Sequence, residues 1–315
     1  MAFVLNPQSS RNEVADYLEL RALLDPDGVS SALQLVTDLC LGGNDSAYED
    51  LSDAERSTWQ TEREALAQEA LEETARRSKT CGATNYPFDL QATSLKATSE
   101  APRAVYTFLL VLSFLKGNAP HHATGAKLFE ELSAAAGAGY LGCDSSKEAY
   151  VFGFPRRRGP KNFLAAVTEL CGKQLLNEGS ANSTEPKLPQ QKDARLDVVV
   201  WKNFPDRRRG RLILFGQCAT GSDWEDKAYA LDPQKWREKW LIEPFLPHPQ
   251  GGFFVPFAVE DRDWKHHLLD GGILFDRFRI AGLAPSHLTA VTLEQIASWN
   301  RDALSDARME LEAGV

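Results

Sequence analysis

The pattern of apolar and polar positions separates a helical region from a region of alternating elements. In the N-terminal region apolar residues recur at a spacing of about 3.6, which predicts helices over 12–24 and 29–41. Residues 52–78 read as a long polar helix that opens with a capping-box sequence, and 102–116 as an apolar helix. We therefore predict an all-helical N-terminal unit over residues 1–120.

From residue 121 onwards, helical segments alternate with short runs of β-branched and aromatic residues. The predicted strands cover residues 149–154, 197–203, 211–217, 252–259 and 272–280. The predicted helices cover residues 125–136, 161–176, 233–241, 264–269 and 293–313. Such alternation is typical of an α/β core. We therefore predict a second domain over residues 121–315, with a mixed central sheet flanked by helices.

Hydropathy and cysteine content narrow the classes of protein that remain. The longest apolar stretch, residues 104–115, holds twelve residues, whereas a bilayer requires about 20. The first residues show no signal-peptide pattern. The five cysteines are scattered and form no CxxC pair, which argues against a disulfide framework and a zinc site. We expect a cytoplasmic protein without a membrane partner.

Charge is distributed unevenly along a chain whose net charge is −9. Residues 1–100 carry 8 Lys and Arg against 18 Asp and Glu, a net charge of −10. Residues 151–240 carry 17 against 11, a net charge of +6. A basic segment within an acidic chain is typical of a surface that binds phosphate. It indicates a nucleic-acid partner, and an ordinary solvated surface is the alternative.

Two of the predicted strands, 197–203 and 211–217, are joined by seven residues and read as a hairpin. If the turn is symmetric, paired residue numbers sum to 414, so Asp197 faces Gln217. Directly opposed side chains have Cβ atoms about 4.5–5.5 Å apart. A carboxylate and an amide oxygen at that distance can share one divalent cation. Oxygen ligands of this kind predict Mg²⁺, or Mn²⁺, at Asp197 and Gln217.

Three runs of the chain resemble PD-(D/E)XK nucleases of the Mrr-like restriction endonuclease type. They read FLAAVTELCGKQLLNEG, KDARLDVVVW and LILFGQCATG. The resemblance implies that Asp197 and Gln217 bind the metal and that Glu169 is the acid on the preceding helix. A solvated surface acid is the alternative for Glu169. The implied fold is restriction-endonuclease-like.

The function that this resemblance implies is metal-dependent cleavage of nucleic acid, with DNA as the expected substrate. The family further implies a prokaryotic restriction or antiphage-defence setting. In such a system, the helical N-terminal unit would dock a protein partner or restrain the activity.

The chain departs from the family at the lysine position, which holds Ala219. Lys202 lies five residues after Asp197, so strand alternation puts it on the opposite face. Lys227 follows on a neighbouring segment, and we predict that it replaces the missing lysine. Two alternatives remain open. One is a catalytically inactive nuclease-fold subunit that binds nucleic acid or assembles a complex, and the other is an unrelated α/β protein whose hairpin mimics the motif.

Arginine clusters are the candidate phosphate contacts. They consist of Arg156, Arg157, Arg158, Arg207, Arg208, Arg209 and Arg211. Contacts to phosphate provide affinity but carry no sequence information. The second cluster lies at the tip of the hairpin, about 20 Å from the proposed metal. We therefore expect it to hold flanking duplex and to take no part in the chemistry.

Overall fold

The computed structural model describes residues 9–41, 52–98, 103–115 and 117–312. The chain divides into two compact units. The first unit consists of residues 1–115 and 296–315, and the second of residues 116–295. Our sequence analysis kept 296–315 with the second unit. That segment contributes core residues to the first unit: the Trp299 ring lies 4.8 Å from that of Phe108, and the Asn300 amide donates to Ala104 O at 2.9 Å.

The first unit contains helices and a small sheet. Its helices are α1 Arg11–Leu24, α2 Ala32–Leu41, α3 Asp53–Cys81 and α4 Ala104–Phe114. Its strands are β1 Val29–Ser31, β2 Phe88–Leu90 and β3 Ser94–Ala97, in the antiparallel order β1-β3-β2. The prediction of an all-helical unit is therefore wrong. Val29 pairs with Lys96, so a contact distant in sequence overrides the helical periodicity.

The predicted start of the long helix is confirmed in detail. Ser52 accepts a hydrogen bond from the Glu55 amide, and the Glu55 carboxylate accepts one from the Ser52 amide at 2.8 Å. The two bonds satisfy main-chain groups that a helix start otherwise leaves without partners. Helix α1 begins with the same arrangement at Ser10 and Glu13.

The second unit is built around a mixed five-stranded sheet, so the predicted α/β class is confirmed at this level. The strands are β4 Ala149–Val151, β5 Ser180–Ala181, β6 Val198–Lys202, β7 Leu212–Cys218, β8 Leu241–Glu243, β9 Gln250–Phe254 and β10 Ile273–Phe275. The five-stranded sheet has the order β10-β9-β7-β6-β4, and β5 pairs with β8 separately. Strands β4, β6 and β7 are antiparallel, and β7, β9 and β10 are parallel.

Seven helices of this part of the described chain follow the same numbering. They are α5 His122–Leu141, α6 Ser145–Glu148, α7 Phe163–Glu169, α8 Pro233–Trp240, α9 Asp261–Gly271, α10 Arg277–Leu283 and α11 Ala290–Glu312, the last of which runs across the boundary at residue 295. None of the helices in the described ranges combines the length and the apolar character that a bilayer crossing requires.

The strand predicted over 272–280 is correct only in its first half. The sheet ends at Phe275, and Asp276 caps helix α10 by accepting a hydrogen bond from the Arg279 amide at 3.0 Å. An N-cap carboxylate of this kind favours a helix start even within a run of β-prone residues.

The two faces of the five-stranded sheet differ in what covers them. Val200 and Leu214 point toward α5, where a Cβ on Gly137 would lie 2.9 Å from Val200 Cγ2. We call this the α5 face. The aromatic face, on the other side, is a core formed by Val199, Trp201, Ile213, Phe215, Phe163, Trp236 and Trp240. Alternation along β6 and β7 therefore assigns each side chain to one face.

Candidate active site

The predicted hairpin register is confirmed. Val198 pairs with Gly216 and Lys202 with Leu212, so paired numbers sum to 414 throughout the ladder. The ladder begins one residue after Asp197. The Asp197 amide donates to Gly216 O at 2.9 Å, although Gly216 is the partner of Val198. Two residues of β6 thus oppose one of β7, as in a β-bulge, a distortion that re-aims side chains at strand ends.

The carboxyl group of Asp197 is held at the junction of three strand ends. Its Oδ2 accepts a hydrogen bond from the Cys218 amide at 2.8 Å. Its main-chain oxygen accepts from the amides of Phe152 and Gly153, at 2.7 and 2.9 Å. The residue is partly buried, but its carboxyl group is largely removed from water. The hydrogen bond from Cys218 therefore holds the side chain in place.

Burial raises the pKa of Asp197 to about 8, against an ordinary value of 3.8. The hydrogen bond from Cys218 lowers this pKa, whereas the negative charges of Glu130 and Asp193 raise it further. Lys127 opposes them only in part. An acid in this state binds a proton at neutral pH unless a cation takes the place of the proton.

A second acid, Glu130, projects from helix α5 and is buried. Lys127, one turn earlier, lies 2.6 Å from Glu130 Oε1 and donates to Phe154 O at 2.9 Å. Burial raises the pKa of Glu130, and the hydrogen bond and charge of Lys127 partly offset that rise. A Cβ on Gly153 would lie 2.7 Å from Glu130 Oε2, so the glycine makes room for this carboxylate.

Our sequence analysis missed Lys127 and Glu130. The signal that was available is a lysine and an acid three residues apart on a helix whose other neighbours, such as Leu128, Phe129 and Leu132, are buried. A charged pair at that spacing on a core-facing stripe is unusual, because buried charges are costly unless they have a partner or a function.

The ladder of β6 and β7 ends at the pair Val198 and Gly216, and Gln217 pairs with Phe253 of β9. The predicted pairing of Gln217 with Asp197 is therefore wrong, and the Gln217 side chain is buried. Its Oε1 atom has no hydrogen-bond partner among the described residues. It follows Phe215 by two positions, so alternation directs it to the aromatic face. The acid and the lysine that act on Asp197 belong to α5, on the other face. The bulge at Asp197 breaks the alternation on which the predicted side-by-side arrangement depended.

Glu169 and Lys227 have local partners. Glu169 accepts from the Gln174 amide at 3.3 Å, and its charge acts on Tyr150. Lys227 Nζ lies 2.7 Å from Asp223 Oδ1 within the same turn. The charged groups with the largest effect on Asp197 are instead Glu130, Asp193 and Lys127.

The arginine clusters are divided between structural and exposed side chains. Arg156 is buried against the Phe152 ring, and Arg211 is buried beside Glu178. Arg157 pairs with Glu131 and Arg209 with Glu243, both at 2.8 Å. Arg157 and Arg209 are exposed, and so are Arg158, Arg207 and Arg208. Arg156 and Arg211 are therefore structural: each is buried, and its guanidinium group donates hydrogen bonds to main-chain oxygens of nearby loops.

A cavity of about 230 Å³ opens beside the acid on α5. Its lining includes Lys127, Glu130, Ser145, Arg157, Arg158 and Thr292. Glu130 therefore lines this cavity and also acts on Asp197, which is not among the lining residues.

The donor set suits a hard divalent cation. In the described ranges, no cluster of three or more His, Cys, Asp or Glu side chains has metal-site geometry. Mg²⁺ commonly uses only one or two carboxylates and retains several waters. Asp197 and Glu130 provide two carboxylates with raised pKa values. These two acids therefore fit the cation that the sequence predicted, whereas Gln217, on the aromatic face, does not join them.

No family model, curated protein or solved structure matches this chain. The chemistry of the site is therefore inferred from its own residues.

Proposed function

We propose that the second unit is a metal-dependent nuclease with a restriction-endonuclease-like, PD-(D/E)XK fold of the Mrr-like type. The observation that carries this proposal is the pair of desolvated acids, Asp197 and Glu130, at one end of a mixed sheet. The order of elements supports it: helix α5 precedes three antiparallel strands, and two parallel strands follow.

In this proposal Asp197 and Glu130 hold Mg²⁺ or Mn²⁺, and Gln217, which alternation directs to the aromatic face, is not a ligand. The bound cation would activate a water molecule and polarise the scissile phosphate. The Cys218 amide keeps the Asp197 carboxylate oriented at 2.8 Å. Gly153 leaves space for Glu130 to reach the strand end.

In this proposal Lys127 takes the role of the family's motif lysine, whose position Ala219 occupies in this chain. Its ammonium group lies 2.6 Å from Glu130 and is partly exposed, so it can approach a phosphate bound between the two acids. A fixed positive charge at that place stabilises the charge that develops on the phosphorus oxygens in the transition state. We assign this role to Lys127 in preference to Lys227 because Lys127 acts on Asp197, whereas Lys227 is paired with Asp223 within its own turn.

The substrate that we propose is DNA, in a prokaryotic restriction or antiphage-defence system. The acidic first unit, with a net charge of −10 over residues 1–100, supports a separate role in docking a protein partner. Like charge would keep nucleic acid away from that unit.

A second candidate function is that of a catalytically inactive subunit that binds nucleic acid or assembles a complex on the same fold. Ala219 at the lysine position favours it. Lys127 favours it too, because its hydrogen bonds to Glu130 and Phe154 O leave the ammonium partly occupied.

The test is a cleavage assay with the full chain. Plasmid, linear duplex, single-stranded DNA and RNA are each incubated with Mg²⁺, Mn²⁺ or EDTA. We expect cleavage that depends on the cation. We also expect cleavage activity to fall by at least about 100-fold in Asp197→Asn and in Glu130→Gln. Replacing a residue that only supports a metal ligand typically lowers activity by 10–100-fold, and replacing a ligand itself should lower it more. Glu238→Gln, an exposed acid on α8, is the matched control.

Each other outcome selects an alternative. Equal cleavage by the wild type and Asp197→Asn would end the assignment of the site. A larger loss in Glu169→Gln than in Glu130→Gln would return the helix acid to Glu169. Salt-dependent binding of DNA without cleavage under any condition would favour the inactive subunit.

A further inference from the structure

The cavity beside Glu130 has walls of different chemistry. One wall is helix α5, with Lys127 and Glu130, and another is the edge strand β4. The loop after β4 contributes Arg157 and Arg158, and Thr289, which directly precedes α11, contributes a hydroxyl group. The cavity is thus continuous with the candidate active site and has a positively charged rim.

The charges in this cavity are balanced except at one residue. Lys127 is paired with Glu130 at 2.6 Å, and Arg157 with Glu131 at 2.8 Å. Arg158 is exposed, and within the described residues it has neither an ion pair nor a hydrogen bond. One guanidinium group therefore remains available to a ligand. A guanidinium group binds phosphate with two parallel hydrogen bonds, which provides both energy and orientation.

Hydroxyl groups also line this cavity. Thr289 and Thr292 line the cavity, and their Oγ1 atoms are 2.9 Å apart. Such hydroxyls donate to phosphate and to sugar oxygens, as they do in many nucleic-acid complexes. Together with Arg158 they provide hydrogen-bond donors suited to a polar ligand that carries about one negative charge.

We infer that this cavity is the subsite for one phosphate-bearing nucleotide of a single-stranded nucleic acid, held by Arg158 next to Glu130. The inference rests on the proposed nuclease function and narrows its substrate. At about 230 Å³ the cavity is smaller than the roughly 300–1,000 Å³ of common small-molecule pockets. A duplex is too wide to enter a cavity of this size. A paired nucleotide must therefore leave the base stack before it can enter, whereas an unpaired nucleotide need not.

The consequence is a preference for unpaired strands. A single strand can present a nucleotide to the cavity without breaking base pairs, and its neighbouring phosphate then lies beside Glu130 and Lys127. The rim provides one free positive charge, so the binding energy depends strongly on one residue. We expect single-stranded substrates to be bound and cut in preference to duplex.

The experiment measures binding in EDTA, so that it does not depend on cleavage. The probes are thymidine 5′-monophosphate, a labelled ten-nucleotide oligo(dT) and a duplex of the same length, titrated with the full chain. We expect the single strand to bind at least about tenfold more tightly than the duplex. Arg158→Gln should weaken single-strand binding by about tenfold, as expected for the loss of a charged hydrogen bond.

The matched control is Arg262→Gln. Arg262 is exposed on α9 and paired with Asp263, outside the cavity. We expect its binding to stay within about twofold of the wild type. We also expect the slope of log affinity against log salt to fall by about one unit in Arg158→Gln only, because one phosphate contact is lost.

Equal binding by Arg158→Gln and Arg262→Gln would overturn the inference, and so would equal affinity for duplex and single strand, or no binding of any probe. The nuclease proposal is judged separately by Asp197→Asn. If Asp197→Asn loses cleavage while Arg158→Gln binds normally, the subsite is wrong and the nuclease stands. If Arg158→Gln loses binding but no form of the protein cleaves, the cavity binds a nucleotide and the nuclease proposal fails.

Discussion

The first and second units both remove carboxylates from water, and they balance the resulting charge differently. In the first unit, the side chains of Glu19, Glu73 and Arg77 are completely buried. Arg77 contacts Asp16, Glu19 and Glu73 at 2.6–3.1 Å, and the Tyr86 hydroxyl donates to Glu19 at 2.7 Å. Every charge in this cluster has a close partner of opposite charge.

The pKa values of the buried acids follow this difference in charge balance: they are lowered in the first unit at Glu73 and raised in the second at Asp197 and Glu130. Burial raises the pKa of Glu73, but the hydrogen bond from Arg76 and the charge of Arg77 outweigh it, so the pKa is lowered overall. In the second unit Lys127 is too little to offset the burial of Asp197 and Glu130, and both pKa values are raised.

A neutralised cluster stabilises a scaffold, whereas an acid pair that lacks a full counter-charge is a place for a cation or a reaction. Four substitutions test this distinction between the two units.

The largest expected effect comes from Asp197→Asn in EDTA. Between pH 3.8 and about 8 the folded chain holds a proton on Asp197 that the unfolded chain has released, so stability falls as the pH rises through this window. Asn removes that cost and keeps the oxygen that accepts from Cys218. At pH 9 we expect the variant to be more stable than the wild type by up to about 6 kcal/mol, and nearly equal to it at pH 4.

Urea unfolding at several pH values measures this difference. The pKa of Glu130 is also raised, so its ionisation lowers stability as the pH rises. This part of the pH dependence should remain in Asp197→Asn. Identical pH dependence in the wild type and the variant would show that ionising Asp197 does not lower the free energy of unfolding. The difference in charge balance between the two units would then not hold.

Arg77→Met should destabilise the chain by about 3–5 kcal/mol, because it leaves buried carboxylates without their counter-charge. Arg76→Met is the control. Arg76 also pairs with Glu73, but its side chain is 42% exposed, so we expect a loss of less than about 1 kcal/mol. Urea unfolding at pH 7 compares the two. Similar losses in both variants would mean that the buried cluster does not stabilise the first unit.

Gly216→Ala separates packing from charge in the second unit. A Cβ at this position would lie 2.4 Å from Val198 Cγ2 and 2.7 Å from Phe254 Cε2. Overpacking of this kind costs about 1–3 kcal/mol. We expect that loss at every pH, with the pH dependence of the wild type unchanged.

Gly117→Ala, where nothing lies within 4 Å of the added Cβ, is the control for Gly216→Ala. If Gly216→Ala changed the pH slope of stability as strongly as Asp197→Asn does, the slope would reflect packing of the hairpin rather than titration of the acid.

The smallest expected effect is a shift in pH dependence in Lys127→Met. Lys127 lowers the pKa of Glu130 and of Asp197, so its removal raises both. Binding of Mg²⁺ requires the ionised acids, and the pH of half-maximal stabilisation by Mg²⁺ should rise by up to about one unit. Thermal unfolding with and without Mg²⁺ across pH measures it, with the exposed Lys235→Met as control. An unchanged midpoint would remove Lys127 from the site.

The hairpin shows how far local information reaches. Two β-prone runs and a seven-residue connection were enough to predict the register of β6 and β7, because a ladder propagates from its turn. The capping box at Ser52 was likewise readable from four residues. Where the outcome depended on partners far along the chain, the local pattern failed, as at Val29, which pairs with Lys96.

The candidate site illustrates the same limit. Asp197 was recognisable because it begins a β-prone run next to a motif-like strand, whereas Glu130 precedes it by 67 residues and no spacing rule connects them. Glu130 acts on Asp197 only because α5 packs across the sheet, as it does at Gly137. The placement of Asp197 also depends on its neighbours, since the segment after β4 and the end of β7 both donate hydrogen bonds to it.

The amino-acid sequence by itself determined the α/β class of the second unit, the pairing of β6 with β7 and the candidacy of Asp197, because periodicity and turn length act over a few residues. Only the tertiary structure decided that Glu130 and Lys127 accompany Asp197, that Arg156 and Arg211 are buried, and that Arg158 faces a cavity. Those outcomes depend on which side chains lose water when distant segments pack together, and desolvation is a property of the assembled fold.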